Sequence, residues 1–89
     1  MNQPKVVHCQ KAPYDVYIGR PSKWGNPYKI GPDGSRAEVL SKYTEYIIHS
    51  QVIMDIDELT GKTLGCWCKP LLCHGDVLLE LANPRSQAI

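Results

Sequence analysis

"SRAEVLSKYTEYIIHSQ", residues 35–51, decides the fold, because its conformation fixes how the segments on either side can meet. Ser35 and Glu38 have the spacing of a capping box, with the serine as N-cap and the glutamate at the third helical position. Val39, Leu40, Tyr43, Ile47 and Ile48 then fall on one face of a 3.6-residue period. The stretch is predicted to be a helix.

Working outward, "DVYIG" (15–19) before it and "KTLGCWC" (62–68) after it read as strands, the first ended by Gly19. A strand, helix, strand crossover is right-handed and parallel in nearly all cases. The carboxyl ends of both strands therefore share one sheet edge, which is where open α/β sheets bind ligands. That edge gathers "GRPSKWGNPY" (19–28) and "CWCKPLLCHGD" (66–76). "KVVHC" (5–9) is a further strand. "MDIDELTG" (54–61) is a short second helix or turn. "HGDVLLELAN" (74–83) is a last helix with Val77, Leu78, Leu81 and Ala82 inward and Asn83-Pro84 as its stop. The expected class is α/β: a single-layer sheet of about three strands with a parallel crossover and two to three packed helices.

Eighty-nine residues make one small domain, assigned to residues 1–84, with 85–89 as a flexible tail. A net charge of +1 gives no reason to expect strong general nucleic-acid binding. Lys11, Arg20, Lys23 and Lys29 still allow a local basic patch. No apolar run approaches the roughly 20 residues of a membrane span, and the N-terminus does not have the pattern of a signal peptide. The expected location is the cytoplasm, where the four cysteines stay reduced and a disulfide framework is disfavoured.

The cysteine cluster has three readings. Cys66, Cys68, Cys73 and His74 are ligand types that suit tetrahedral zinc. Their spacing is poor for it, unless His8 or Cys9 from the first strand replaces one of them. Alternatively, Cys73 is a reactive thiolate. It precedes a helix, whose free N–H groups and dipole favour negative charge. His74 is adjacent and Asp76 can orient an imidazole, so Cys73, His74 and Asp76 form a candidate catalytic set. On this reading the Cys73 thiol titrates below the ordinary value of about 8.5, with Cys66 and Cys68 above it. The third reading is packing, with Cys66 and Cys68 in the core and Trp67 over the other face.

The connection at residues 20–34 holds Pro21, Gly25, Pro27, Gly31, Pro32 and Gly34, so it cannot be regular structure. A loop this long in so small a domain is usually functional when it is ordered. Arg20 can hold a phosphate or carboxylate through its guanidinium fork. Trp24 can stack on a base, and Gly25 allows close backbone approach. The competing reading is that Trp24 and Tyr28 pack on the core.

At "VYIGRPSKWGNPY" and "GKTLGCWCKPLLCHGDVLLELAN" the chain resembles a bacterial and phage family catalogued as domain of unknown function 4326. The resemblance marks Gly19, Arg20, Trp24, Gly25, Asn26 and Pro27 without departure. It likewise marks Cys66, Trp67, Cys68, Pro70, Cys73, His74, Gly75 and Asp76. The family supplies positions rather than chemistry.

Two functions follow as expectations. In the first, a phosphate-bearing or nucleotide-like ligand binds at the sheet edge, contacted by Gly19, Arg20, Trp24, Gly25, Asn26 and Trp67, with Cys73 and His74 doing any chemistry. No cofactor is required. In the second, the chain is a non-enzymatic module, stabilised by zinc, that modulates a host or nucleic-acid-handling protein.

Overall fold

The strand that follows the helices lies in the middle of the sheet. The computed structural model describes residues 4–69 and 71–83. In chain order the elements are β1 (Lys5–His8), β2 (Val16–Tyr17), α1 (Arg36–His49), a 3₁₀ helix (Gln51–Leu59), β3 (Thr63–Cys66) and α2 (His74–Ala82). The sheet order is β1-β3-β2 and both pairings are parallel. Lys5 stands opposite Thr63 and His8 opposite Cys66 on one side of β3, and Val16 stands opposite Leu64 on the other. The expected fold class and the parallel β2-α1-β3 crossover are both present. Pro70 and the expected tail at 85–89 lie outside the described residues.

All three strands are shorter than expected, but the ladder outlasts them. Asp15 and Ile18 donate backbone N–H groups to Thr63 and Gly65, and Cys9 donates to Cys66. β3 ends at Cys66 because the chain turns there, with the Leu71 N–H donating to the Cys68 carbonyl at 2.8 Å.

Helix α1 starts as its sequence dictates. The Ser35 hydroxyl accepts from the Glu38 N–H, and the Glu38 carboxylate accepts from the Ser35 N–H at 2.8 Å. Val39, Tyr43 and Ile47 are buried. Ile48 was expected to join them and is exposed, because it is rotated about 100° from Ile47 and off that narrow stripe. On α2 the burial centres on Leu78 and Ala82, with Val77 and Leu81 only half-buried. The segment between α1 and β3 is a nine-residue 3₁₀ helix. Such runs rarely exceed three or four residues. This one is capped by the Ser50 hydroxyl and tied to the long loop by Lys23, which pairs with Asp55 at 3.0 Å and Glu58 at 2.9 Å.

One core joins these parts. Ile18, Leu64 and Cys66 of the sheet pack with Tyr43 and Ile47 of α1, Leu59 of the 3₁₀ helix and Leu78 and Ala82 of α2. Gly75 brings α2 close to the sheet: a Cβ there would sit 2.8 Å from Ile18 Cδ1 and 2.9 Å from Val6 Cγ1. Gly65 similarly makes room for the ring of Tyr14.

Candidate functional site

A cavity of about 560 Å³ opens where β2 and β3 end and where α1 and α2 begin. Gly19 and Arg20 come from the end of β2, and Trp67 and Cys68 from the end of β3. Asn26, Tyr28 and Lys29 come from the long loop, Arg36 from the first turn of α1, and Cys73 and His74 from the start of α2. The crossover therefore brings the two unusual segments to one edge. Arg20, Lys29 and Arg36 supply three cations to the wall, and no Asp or Glu lines it among the described residues.

Each cation is placed by local structure. The Tyr17 hydroxyl donates to the Arg20 carbonyl at 2.9 Å and itself accepts from Trp67 Nε1 at 2.9 Å, linking the ends of β2 and β3. Gly25 lies under the Arg20 stem, where a Cβ would be 2.8 Å from Arg20 Cγ. Its part is to seat Arg20 rather than to approach a ligand, and it does not line the cavity. Arg36 is held by a hydrogen bond to the Leu72 carbonyl at 2.8 Å. Among the described residues the guanidinium of Arg20 and the ammonium of Lys29 have no hydrogen-bond or ion-pair partner.

Trp24 is elsewhere. It was expected to stack on a ligand, but only 2% of it is exposed, it belongs to the core, and it is not in the cavity wall. Its carbonyl accepts the buried Tyr43 hydroxyl at 2.7 Å. Burial pushes the Tyr43 phenol well above its usual range, which keeps it a donor. Trp67, about half exposed, is the tryptophan that faces the cavity.

The candidate catalytic set does not form a relay. Asp76 accepts the Cys73 N–H at 2.9 Å and pairs with Lys69 at 2.7 Å, and it lines a separate, shallower depression. It is a capping residue, with Cys73 as the N-cap of α2: the thiol accepts from the Gly75 N–H at 3.3 Å. His74 Nε2 lies 2.8 Å from the Ile18 carbonyl. A carbonyl only accepts, so Nε2 carries a proton, which leaves Nδ1 bare in the neutral ring. Burial holds the His74 pKa below the usual histidine value, which keeps that state.

Cys73 faces Cys66 instead. The two sulfurs are 3.1 Å apart, both buried and both free thiols. A proton shared between them eases the first ionisation and opposes the second. Cys66 is the sulfur that ionises first, at about 6, because it accepts the Cys73 thiol. The backbone N–H groups of Cys68 and Lys69 and the Lys69 charge add to this. The Cys73 thiol is pushed up by that same hydrogen bond, by burial and by the negative charge on Cys66. The facing sulfur and burial oppose the lowering expected for Cys73 at the helix terminus. The cap supplies one N–H to Cys73.

Of the four zinc-type residues, Cys66 and Cys73 adjoin each other. Among the described residues no group of three His, Cys, Asp or Glu is arranged to hold a metal ion. His74 already spends Nε2 on Ile18, and His8 stacks edge-on with Trp67.

Arg36, Tyr17 and Tyr28 also line the wall, although none was a candidate contact, and Lys29 was expected only as part of a local basic patch. For Arg36 a signal existed. The residue after the N-cap of a crossover helix starts at the edge where the preceding strand ends.

Comparison with known proteins gives relatives but no chemistry. The family described as "Domain of unknown function (DUF4326)" matches residues 2–84. The chain is 42% identical over 85 residues to "Uncharacterized protein R718" of Acanthamoeba polyphaga mimivirus, covering 75% of this chain and 65% of that protein. It is 35% identical over 85 residues to an "Uncharacterized 12.4 kDa protein in nrdA-td intergenic region" of Enterobacteria phage T4, covering 89% of this chain and 77% of that protein. The chain thus spans just under two thirds of the mimivirus relative. No solved structure matches it significantly. With a match running from residue 2 to residue 84, the chain belongs to the DUF4326 family.

Proposed function

We propose that the chain binds a small phosphate-bearing, nucleotide-like anion in the cavity at the carboxyl edge of its sheet. The observation that carries this reading is the sign of the wall: Arg20, Lys29 and Arg36 line it without an Asp or Glu among the described residues. Two further features support it. The first residues of both α-helices line the same space, and helix N-termini favour anions. Tyr17, Tyr28 and Trp67 add flat apolar surface suited to a base. The volume lies within the range of about 300–1,000 Å³ common to small-molecule sites. Cys73 is a thiol that a reactive ligand would meet there.

The test is calorimetric titration at low ionic strength with nucleoside 5′-mono- and diphosphates, the parent nucleosides and inorganic phosphate. The nucleotides should bind and the nucleosides should not. Arg20→Gln should weaken binding about tenfold or more, the worth of a hydrogen bond to a charged group at about 1.5–3 kcal/mol. Absence of heat with every nucleotide, or equal affinity for nucleoside and nucleotide, would reject the reading.

A further inference from the structure

The sulfur pair between β3 and α2 has no part in anion binding, yet it joins the core to the cavity. Cys73 is in the cavity wall, and Cys66 lies behind it with 1% exposure. Their sulfurs are 3.1 Å apart, and a disulfide needs about 2.05 Å. Closing that gap takes an approach of about 1 Å between the two sulfurs. Cys73 is the member of the pair on the cavity side, itself only 2% exposed, and the wall around it is cationic, with Arg20, Lys29 and Arg36.

We propose that Cys66 and Cys73 form a redox site whose substrate is a small anionic disulfide of the glutathione class. One half of that disulfide enters the cavity with its carboxylates against the three cations. The pair passes its shared proton from Cys73 to Cys66, and the Cys73 thiolate attacks the bound disulfide. The substrate's sulfur–sulfur bond breaks, a Cys73 mixed disulfide forms, and the leaving thiolate takes up a proton from water. The Cys66 sulfur, losing its proton to solvent, then attacks Cys73 Sγ; the bond from Cys73 to the substrate's sulfur breaks, and the second thiolate leaves and takes up a proton from solvent. In sum, two cysteine thiols are oxidised to one disulfide and one small disulfide is reduced to two thiols, with protons balanced.

The site also explains why cysteine caps this helix. Serine or aspartate is the preferred N-cap, and either would accept the Gly75 N–H as well, but neither can be oxidised against Cys66.

The experiment equilibrates the full chain in glutathione buffers of increasing oxidised fraction, then quenches with acid, alkylates free thiols and measures intact and peptide masses. The expected product has lost two hydrogens, carries a Cys66–Cys73 link, and keeps the native near-ultraviolet circular dichroism. A Cys9→Ser, Cys68→Ser double variant should give the same product. Cys66→Ser should stop at the glutathione mixed disulfide on Cys73, and Cys73→Ser should form no internal link. Full alkylation of Cys66 and Cys73 in the most oxidising buffer would overturn the proposal, as would a link through Cys9 or Cys68. A mixed disulfide on Cys66 in Cys73→Ser would overturn the assigned order of attack. Mapping of the unsubstituted chain decides the main point even where a variant fails to fold.

Discussion

Arg20 and Trp24 leave the same loop in different directions, and their substitutions should separate cleanly. Trp24 fills the core, so Trp24→Ala should cost about 3–5 kcal/mol in urea denaturation, the usual range for removing a buried indole. Arg20 is exposed and without a polar partner for its guanidinium among the described residues. Arg20→Gln should therefore hold stability within about 0.5 kcal/mol while weakening the proposed nucleotide binding about tenfold or more. The sequence showed both residues to be unusual but not which faced inward. A large aromatic in a Gly- and Pro-rich loop suits either display or packing. The decision rests with Tyr43, whose hydroxyl bonds the Trp24 carbonyl from a different element. No local pattern records that contact. The same limit hid the sulfur pair, since Cys66 meets Cys73 through a turn that their spacing does not announce.

The two α-helices begin with the same device written in different chemistry. Ser35 and Glu38 announce α1, and the start was legible to the residue. Cys73 and Asp76 cap α2 in the same geometry. A thiol is a weak acceptor outside the preferred cap set, so the aspartate read as a catalytic partner instead. Gly75 in the first turn gives a prediction of unexpected sign. Alanine is the better helix former by about 1 kcal/mol, yet its Cβ would meet Ile18 and Val6 at 2.8 and 2.9 Å. Gly75→Ala should destabilise the chain by about 1–3 kcal/mol, the cost of overpacking a core, as read by the urea midpoint. Alanine at an exposed position of the same helix should be neutral or better. The 3₁₀ helix was only partly legible, because over so few residues a period of 3.0 and one of 3.6 give similar burial patterns.

For the molecule as a whole, three buried groups shape how stability follows pH across the neutral range under reductant. His74 is neutral in the fold, with its pKa lowered by burial. The unfolded chain takes up that proton near 6.5, so stability falls as the pH drops below that value. Cys66 is lowered to about 6 from an ordinary value of about 8.5. Its contribution is complete above about 8.5 and is lost as the pH falls towards 6. Cys73 is raised, so above about 8.5 the unfolded chain ionises first and stability declines again. Urea midpoints should peak near pH 8.5. Cys66→Ala should flatten the rise between about 6 and 8.5 while leaving the acid limb of His74, and a flat profile in the parent chain would contradict the shared proton. At this scale the crossover between β2 and β3 was legible, because handedness rules leave one arrangement. The place of β1 was not, since either sheet edge would have accepted it. Its position on the far side of β3 has a consequence for synthesis. Each early strand pairs with β3 and with no other strand, so neither has a partner while the ribosome is still making the helices. Long-range parallel pairing of this kind is slow, because the loop must close before any contact repays it. The nascent chain therefore waits as a helix with two unpaired strands until its last third emerges. Sheet and cavity wall then arise in one late event, and a chain cut between β2 and β3 loses both together.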